Sequence, residues 1–235
     1  MRNSVLLMLF ILTFLNQSVF AASFGPRENR LIYEGDKGYI SYRIDNTDNS
    51  KVWLVQSWVE DSTEKRTDKF TSVPVTFRVE PSSTFSVRVM KTGALPEDRE
   101  SIFWIVSNSI PGGEKVEREK KDDSISAKLS LAYRFKVPMI YRPKSIQEMK
   151  SQPELLKWSI GNNGKIKVEN PTRFAVQLHN IDINGKISGG KGISYIISPM
   201  SSTTLEVKGG TGTKIKYSVV NDYGAVKDYE GIIKK

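Results

Sequence analysis

Between Ser124 and Pro143 the chain reads SISAKLSLAYRFKVPMIYRP, with an apolar residue at every second place. Ile125, Ala127, Leu129, Leu131, Tyr133, Phe135, Val137, Met139 and Tyr141 fall on one parity, and Ser, Lys and Arg dominate the other. Period-2 alternation predicts a β-strand with one apolar and one polar face. Its length is the strongest constraint on the fold. At about 3.3 Å per residue this segment spans roughly 55 Å, whereas a typical strand covers about 17–20 Å. One small sandwich cannot bury all of it, so part of the apolar face is available to a partner. Pro138 lies within the run and has no N–H to give to a sheet, which predicts an edge or a bulge there. A long alternating edge is an aggregation hazard unless it is meant to pair.

Before this segment, apolar runs recur at Arg30–Tyr33, Tyr39–Ile44, Val52–Val59, Val73–Val79, Phe85–Val89 and Ile102–Val106. Turn-forming residues separate them, and no helical period intervenes, so an antiparallel sandwich is expected. The polar stretch Lys144–Pro153 then marks a domain boundary. After it come Leu156–Ile160, Lys165–Val168, Ala175–Ile183, Ile193–Ile197, Thr203–Val207, Lys214–Val220 and Ala225–Ile233. Asn163-Gly164 and Asn184-Gly185 are hairpin signals. The division expected is a leader over 1–21, a first domain over 22–143 and a second over 144–235. The fold class is all-β. The charge run EKVEREKKDD at Glu114–Asp123 reads as a solvated loop.

The leader carries Arg2, an apolar core over Val5–Leu15, and small residues at Val19 and Ala21. This is a cleavable secretory signal with a cut after Ala21, or after Ala22. Its apolar core is too short to cross a bilayer comfortably, and no later segment is apolar enough to insert in a membrane. The formal charge of +9 would suggest nucleic acid in a cytosolic protein. An exported chain with cations dispersed among acids suggests instead a basic surface, or a cleft that receives a carboxylate. There is no Cys, so disulfide staples and thiol chemistry are excluded.

Catalytic signals are weak. His179 is the only His, and it shares the polar parity of its strand with Gln177. No metal-ligand spacing occurs, and no cofactor is expected. GKISGGKG at Gly185–Gly192 approaches a phosphate loop, but the hydroxyl position holds Gly192 and a strand follows, so it reads as a hairpin loop.

Four segments resemble one known family. They are LPEDRESIFWIVSNSIP at Leu95–Pro111, Tyr141-Arg142-Pro143, Val168-Glu169-Asn170-Pro171-Thr172 and Asn221-Asp222-Tyr223-Gly224. In this order they resemble the periplasmic pilus (fimbrial) chaperones, which have two immunoglobulin-like domains set at an angle around a cleft. The resemblance implies a non-enzymatic protein. It binds pilus subunits by donor-strand complementation and delivers them to an outer-membrane usher. Ile125, Ala127, Leu129, Leu131 and Tyr133 then correspond to the donor strand. Arg30 corresponds to the family's first cation for the subunit's terminal carboxylate. Pro138 occupies the place of the second, and Lys136, two residues earlier on the same face, is taken as its replacement. Glu100, Arg142 and Asp222 correspond to a charge network between the domains. An exposed apolar strand also makes a self-capping homodimer an expectation for the unliganded protein. Two other readings stand beside this one. An exported adhesin or pilus subunit would carry its own donor extension and often a disulfide. An exported ligand-binding enzyme on a sandwich would need a catalytic constellation.

Overall fold

A computed structural model of the protein describes residues 23–112 and 131–235. Among the described residues the first domain contains nine strands. They are β1 (Phe24–Pro26), β2 (Leu31–Glu34), β3 (Ile40–Asn46), β4 (Trp53–Asp61), β5 (Phe70–Val73), β6 (Thr76–Val79), β7 (Ser83–Lys91), β8 (Ser101–Pro111) and β9 (Tyr133–Arg142). They form two facing sheets, ordered β1-β3-β7-β5 and β2-β9-β8-β4-β6. The alternation read from the sequence is what divides inside from outside. Tyr42 and Ile44 of β3, Val55 and Val59 of β4, Val87 and Val89 of β7, and Met139 and Tyr141 of β9 fill one core.

The opening segment changes sheets. β1 pairs with β3, the chain crosses at Arg27–Arg30, and β2 then runs parallel to β9 from Leu31 opposite Met139 to Glu34 opposite Arg142. Gly25 allows the close approach at the first of these layers, because a Cβ there would stand 3.3 Å from the Phe135 ring.

The second domain contains β10 (Lys157–Ile160), β11 (Lys165–Asn170), β12 (Val176–Ile183), β13 (Lys186–Gly189), β14 (Ile196–Ile197), β15 (Ser201–Lys208), β16 (Lys214–Val220) and β17 (Val226–Lys234). β10 pairs antiparallel with β11 and parallel with β17, joining the two layers of a second sandwich. Trp158, Ile166, Leu178, Ile181, Ile215 and Tyr217 fill its core. Asn184 and Gly185 both take positive φ between β12 and β13, as a two-residue hairpin turn requires. The chain is all-β, with two immunoglobulin-like domains.

Three elements differ from the sequence reading. The run Val73–Val79 is not one strand. It divides at Pro74 into β5 and β6, which join opposite sheets. Of Ile193–Ile197 only β14 is extended, because Gly190 and Gly192, both at positive φ, turn the chain just before it. Phe24–Pro26 is a strand that periodicity did not reveal, since three residues are too few to show a period. The segment Gly185–Gly192 forms strand β13 and a turn, with no helix after it. His179 lies exposed on β12.

Candidate functional site: the open end of β9 and the domain junction

β9 changes character along its length. From Met139 to Tyr141 it is an interior strand, held by β2 on one side and β8 on the other, and Arg142 pairs with β2. From Tyr133 to Val137 it pairs with β8 alone among the described residues. Pro138 stands at the changeover, where a missing N–H is harmless because β2 has not yet begun.

The apolar row changes in step. Tyr141, Met139 and Val137 are buried, and Phe135 is half-buried. Tyr133 is then 40% exposed and Leu131 54%. Tyr133 still faces inward, with its ring 5.2 Å from that of Trp53 and 5.8 Å from that of Phe135. The apolar row therefore runs out of its own sandwich and onto the surface without changing face. Ile125, Ala127 and Leu129 lie outside the described residues.

At the other end of β9, the outward face meets the second domain. Ile140 and Ile102 pack against Ala175, with Ile32 and Ile196 at the margin. Glu100, its side chain fully enclosed, accepts hydrogen bonds from Arg142 Nε at 2.6 Å and from the Ala175 amide at 2.6 Å. Its own backbone N–H donates to the Arg173 carbonyl. Arg142 reaches Asp222 at 2.7 Å. The planar guanidinium serves two carboxylates at once, which an ammonium could not do with this geometry. Burial pushes the Glu100 carboxyl above its usual range, against the pull of Arg142 and the Ala175 amide. Burial also draws Arg142 down, but Glu100 and Asp222 outweigh it and hold the guanidinium above its usual range.

Arg30 extends the same chain of charges. Its Nη1 donates to the carbonyls of Val220 at 3.1 Å and Asn221 at 3.3 Å, and its Nη2 lies 3.4 Å from Asp222. Only 8% of the side chain is exposed, and its buried Nε has no hydrogen-bond partner. Burial pulls this guanidinium below its usual range, with Asp222 and Glu100 opposing. Arg30 comes to the junction because β2 begins at Leu31, directly after the sheet crossover.

Lys136 is placed differently. The β2–β9 register puts Pro138 beside Arg30, so Lys136 stands two residues further along, about 6–7 Å at the rise of a strand. Its ammonium is 3.1 Å from Glu60 on β4 and 3.0 Å from Glu64 in the following turn, above the Trp104 ring. Glu60 is buried and is also met by Arg134 at 2.7 Å and by the Trp58 indole N–H at 3.0 Å. Burial alone would raise the Glu60 carboxyl, but Trp58, Lys136 and Arg134 hold it below its usual range.

The structure thus gathers Arg30, Glu100, Arg142 and Asp222 at the junction, and places Lys136 in a neighbouring carboxylate pair. Two features escaped the sequence reading. One is the apolar contact of Ile32, Ile102 and Ile140 with the second domain. Its signal was present in Ile102 and Ile140, which break the alternation of their strands and mark a sheet covered on both faces. The other is the Glu60–Glu64 surround of Lys136, for which no local pattern exists. Among the described residues no cluster of His, Cys, Asp or Glu could hold a metal ion, and no helix is long and apolar enough to cross a membrane.

Comparison with known proteins gives the same architecture a family. Residues 23–147 match the N-terminal domain of the pili and flagellar-assembly chaperones of PapD type, and residues 151–231 match the C-terminal domain. The chain is 31% identical over 228 residues to a probable fimbrial chaperone, LpfB, of Escherichia coli O157:H7, covering 96% of this chain and 94% of that one. It is 30% identical over 231 residues to a probable fimbrial chaperone, SfmC, of Escherichia coli K12, covering 96% of each. Among solved structures it resembles the Salmonella enterica complex of SafA pilin with the SafB chaperone. The TM-score is 0.72 and the identity 26%, over 92% of this chain and 98% of the matched one. The Escherichia coli chaperone DraB is similar at TM-score 0.72 and 26% identity, over 92% and 97%. With two matched domains in sequence and a whole-chain likeness in structure, this protein belongs to the family of pilus-assembly chaperones.

Proposed function

We propose that this chaperone acts in the periplasm on pilus subunits and lends them the apolar row of β9 and the residues preceding it. The observation that supports this reading most is the emergence of that row onto the surface on a strand edge unpaired among the described residues. A subunit lacking one strand of its own sandwich finds both needs met there: backbone hydrogen-bond partners along Tyr133–Val137, and the exposed apolar side chains of Leu131 and Tyr133 on the parity of the core row. Ile125, Ala127 and Leu129 continue the same parity in the sequence.

Side chains alone do not hold such a complex. Each buried donor residue contributes about 1.5–3 kcal/mol, while association costs about 4–15 kcal/mol. The remainder comes from the strand's hydrogen bonds and from a charged anchor for the subunit's terminal carboxylate. We assign that anchor to Arg30, whose buried Nε has no partner, together with Lys136. An anchor also sets register, and a slip of one residue would turn every donor side chain away from the groove. Glu100, Arg142 and Asp222 hold the two domains at the angle that the cleft needs. The leader, residues 1–21, directs export and is removed, and the domains divide at Pro143. Loaded subunits pass to an outer-membrane usher, and the unliganded chaperone covers its donor strand in a homodimer.

The test is co-expression with a fimbrial subunit and recovery of the complex from the periplasm. Arg30→Ala is expected to abolish recovery while the purified variant keeps the far-ultraviolet spectrum of the parent. Recovery at the parent's level would overturn the anchor role of Arg30.

A further inference from the structure

The ammonium of Lys136 is enclosed between an inner and an outer carboxylate. Glu60, the inner one, has a side chain 4% exposed, and it is already neutralised by Arg134 at 2.7 Å. Glu64, the outer one, is 69% exposed and stands 3.0 Å from Lys136 in the tight turn after β4. Its backbone is at φ 63°, a conformation few non-glycine residues adopt, and the turn is closed by the Asp61 carboxylate, which accepts bonds from Thr63 and Lys65. With both carboxylates in place the Lys136 nitrogen has no accessible surface. Trp104 lies under the same ammonium, so the solvent side is the Glu64 side.

From this juxtaposition we propose that Glu64 is an intramolecular stand-in for the carboxylate of a bound chain end: it occupies Lys136 in the unliganded chaperone and must leave before a chain-terminal carboxylate can bind there. The proposal rests on the reading of Arg30 and Lys136 as a carboxylate anchor, and it adds the residue that sets the affinity of that anchor. Charge makes the exchange necessary. Arg134 and Lys136 balance Glu60 and Glu64. A third carboxylate at Lys136 would crowd against Glu60 and Glu64 around one enclosed nitrogen, and repulsion among carboxylates that share a single ammonium is unfavourable in a partly desolvated site, with Arg30 about two residues' rise away. Glu64 is the member able to leave, because it is exposed and holds no partner but Lys136 among the described residues. Glu60 is not, because burial would leave its carboxylate uncompensated. Glu64 therefore lowers the affinity for weak or accidental carboxylates, and only a ligand that also pairs with the β9 edge displaces it.

The experiment uses the full mature chaperone and one defined probe, the N-acetylated octapeptide of alternating Thr and Val, as the free acid and as the C-terminal amide. Binding is measured by calorimetry for the parent, Glu64→Gln, Lys136→Gln and the double variant. Glu64→Gln is expected to bind the acid about two- to five-fold more tightly, the range an exposed ion pair supports, with the amide unchanged. In the Lys136→Gln background the same substitution is expected to give no gain. If the parent prefers acid to amide but Glu64→Gln binds the acid as the parent does, the stand-in role is overturned and the anchor remains. A parent that binds acid and amide alike overturns the anchor itself, and the stand-in role with it.

Discussion

Glu100 shows how much one buried carboxylate can organise when each of its two oxygens has a partner. Arg142 Nε and the Ala175 amide both donate to it at 2.6 Å, so a residue of the first domain is bonded to the backbone of the second. Enclosing it costs desolvation, and burial accordingly pushes its carboxyl above the usual range. A carboxyl raised in the folded state contributes stability fully present below its unfolded value, about 4.3. That contribution is lost as pH rises through the folded value. Glu100→Gln removes the titration and keeps the shape. The difference in urea midpoint between variant and parent is therefore expected to move in the variant's favour between pH 3.5 and pH 7.5. A constant difference would show that Glu100 titrates alike in both states. Asp45 works in the opposite direction. Arg27 and Thr84 hold its carboxyl below its usual range, so its contribution is present above the unfolded value and fades as the pH falls.

At the scale of the element, β9 is two strands in one. Met139, Ile140 and Tyr141 are locked between β2 and β8, and the six residues before them are held on one side only among the described residues. The rigid half fixes direction and register, and the open half presents that register to a partner. Side-chain parity then decides which substitutions matter. Leu131→Asp and Ala132→Asp place the same charge on adjacent residues of opposite parity just before β9. Leu131→Asp is expected to reduce recovery of a co-expressed subunit at least ten-fold, since a carboxylate would enter an apolar groove unpaired. Ala132→Asp is expected to leave recovery within a factor of two. Equal losses would mean that the row beginning at Leu131 does not face the partner.

For the whole molecule, the junction combines an apolar contact with a chain of alternating charges, Glu100–Arg142–Asp222–Arg30. The apolar part shields the Glu100–Arg142 end of this chain from water, which strengthens that pairing. Ile140 is fully buried at this junction on the face of β9 opposite the first domain's own core. Ile140→Ala is expected to cost about 2–5 kcal/mol in unfolding free energy, and to speed hydrogen exchange at the Ala175 amide. Ile44→Ala, in the core of the first domain, carries a cost in the same range and is expected to leave the Ala175 amide protected. Equal exchange at Ala175 in the two variants would show that Ile140 does not couple the domains.

Strand alternation and the turn at Asn184-Gly185 are local properties. A side chain's parity and a turn's φ depend on near neighbours, so the sequence by itself determined two β-sandwiches and an overlong apolar row. It also held, in the off-parity Ile102 and Ile140, an unread sign of a second covered face. Other features depend on residues far apart in the chain. The division of Val73–Val79 between two sheets, the approach of Arg30 to residues 220–222, and the placing of Lys136 between Glu60 and Glu64 each required the packed domains. An ion pair across the junction leaves no period in a sequence, because its partners are brought together only by the sheets that carry them.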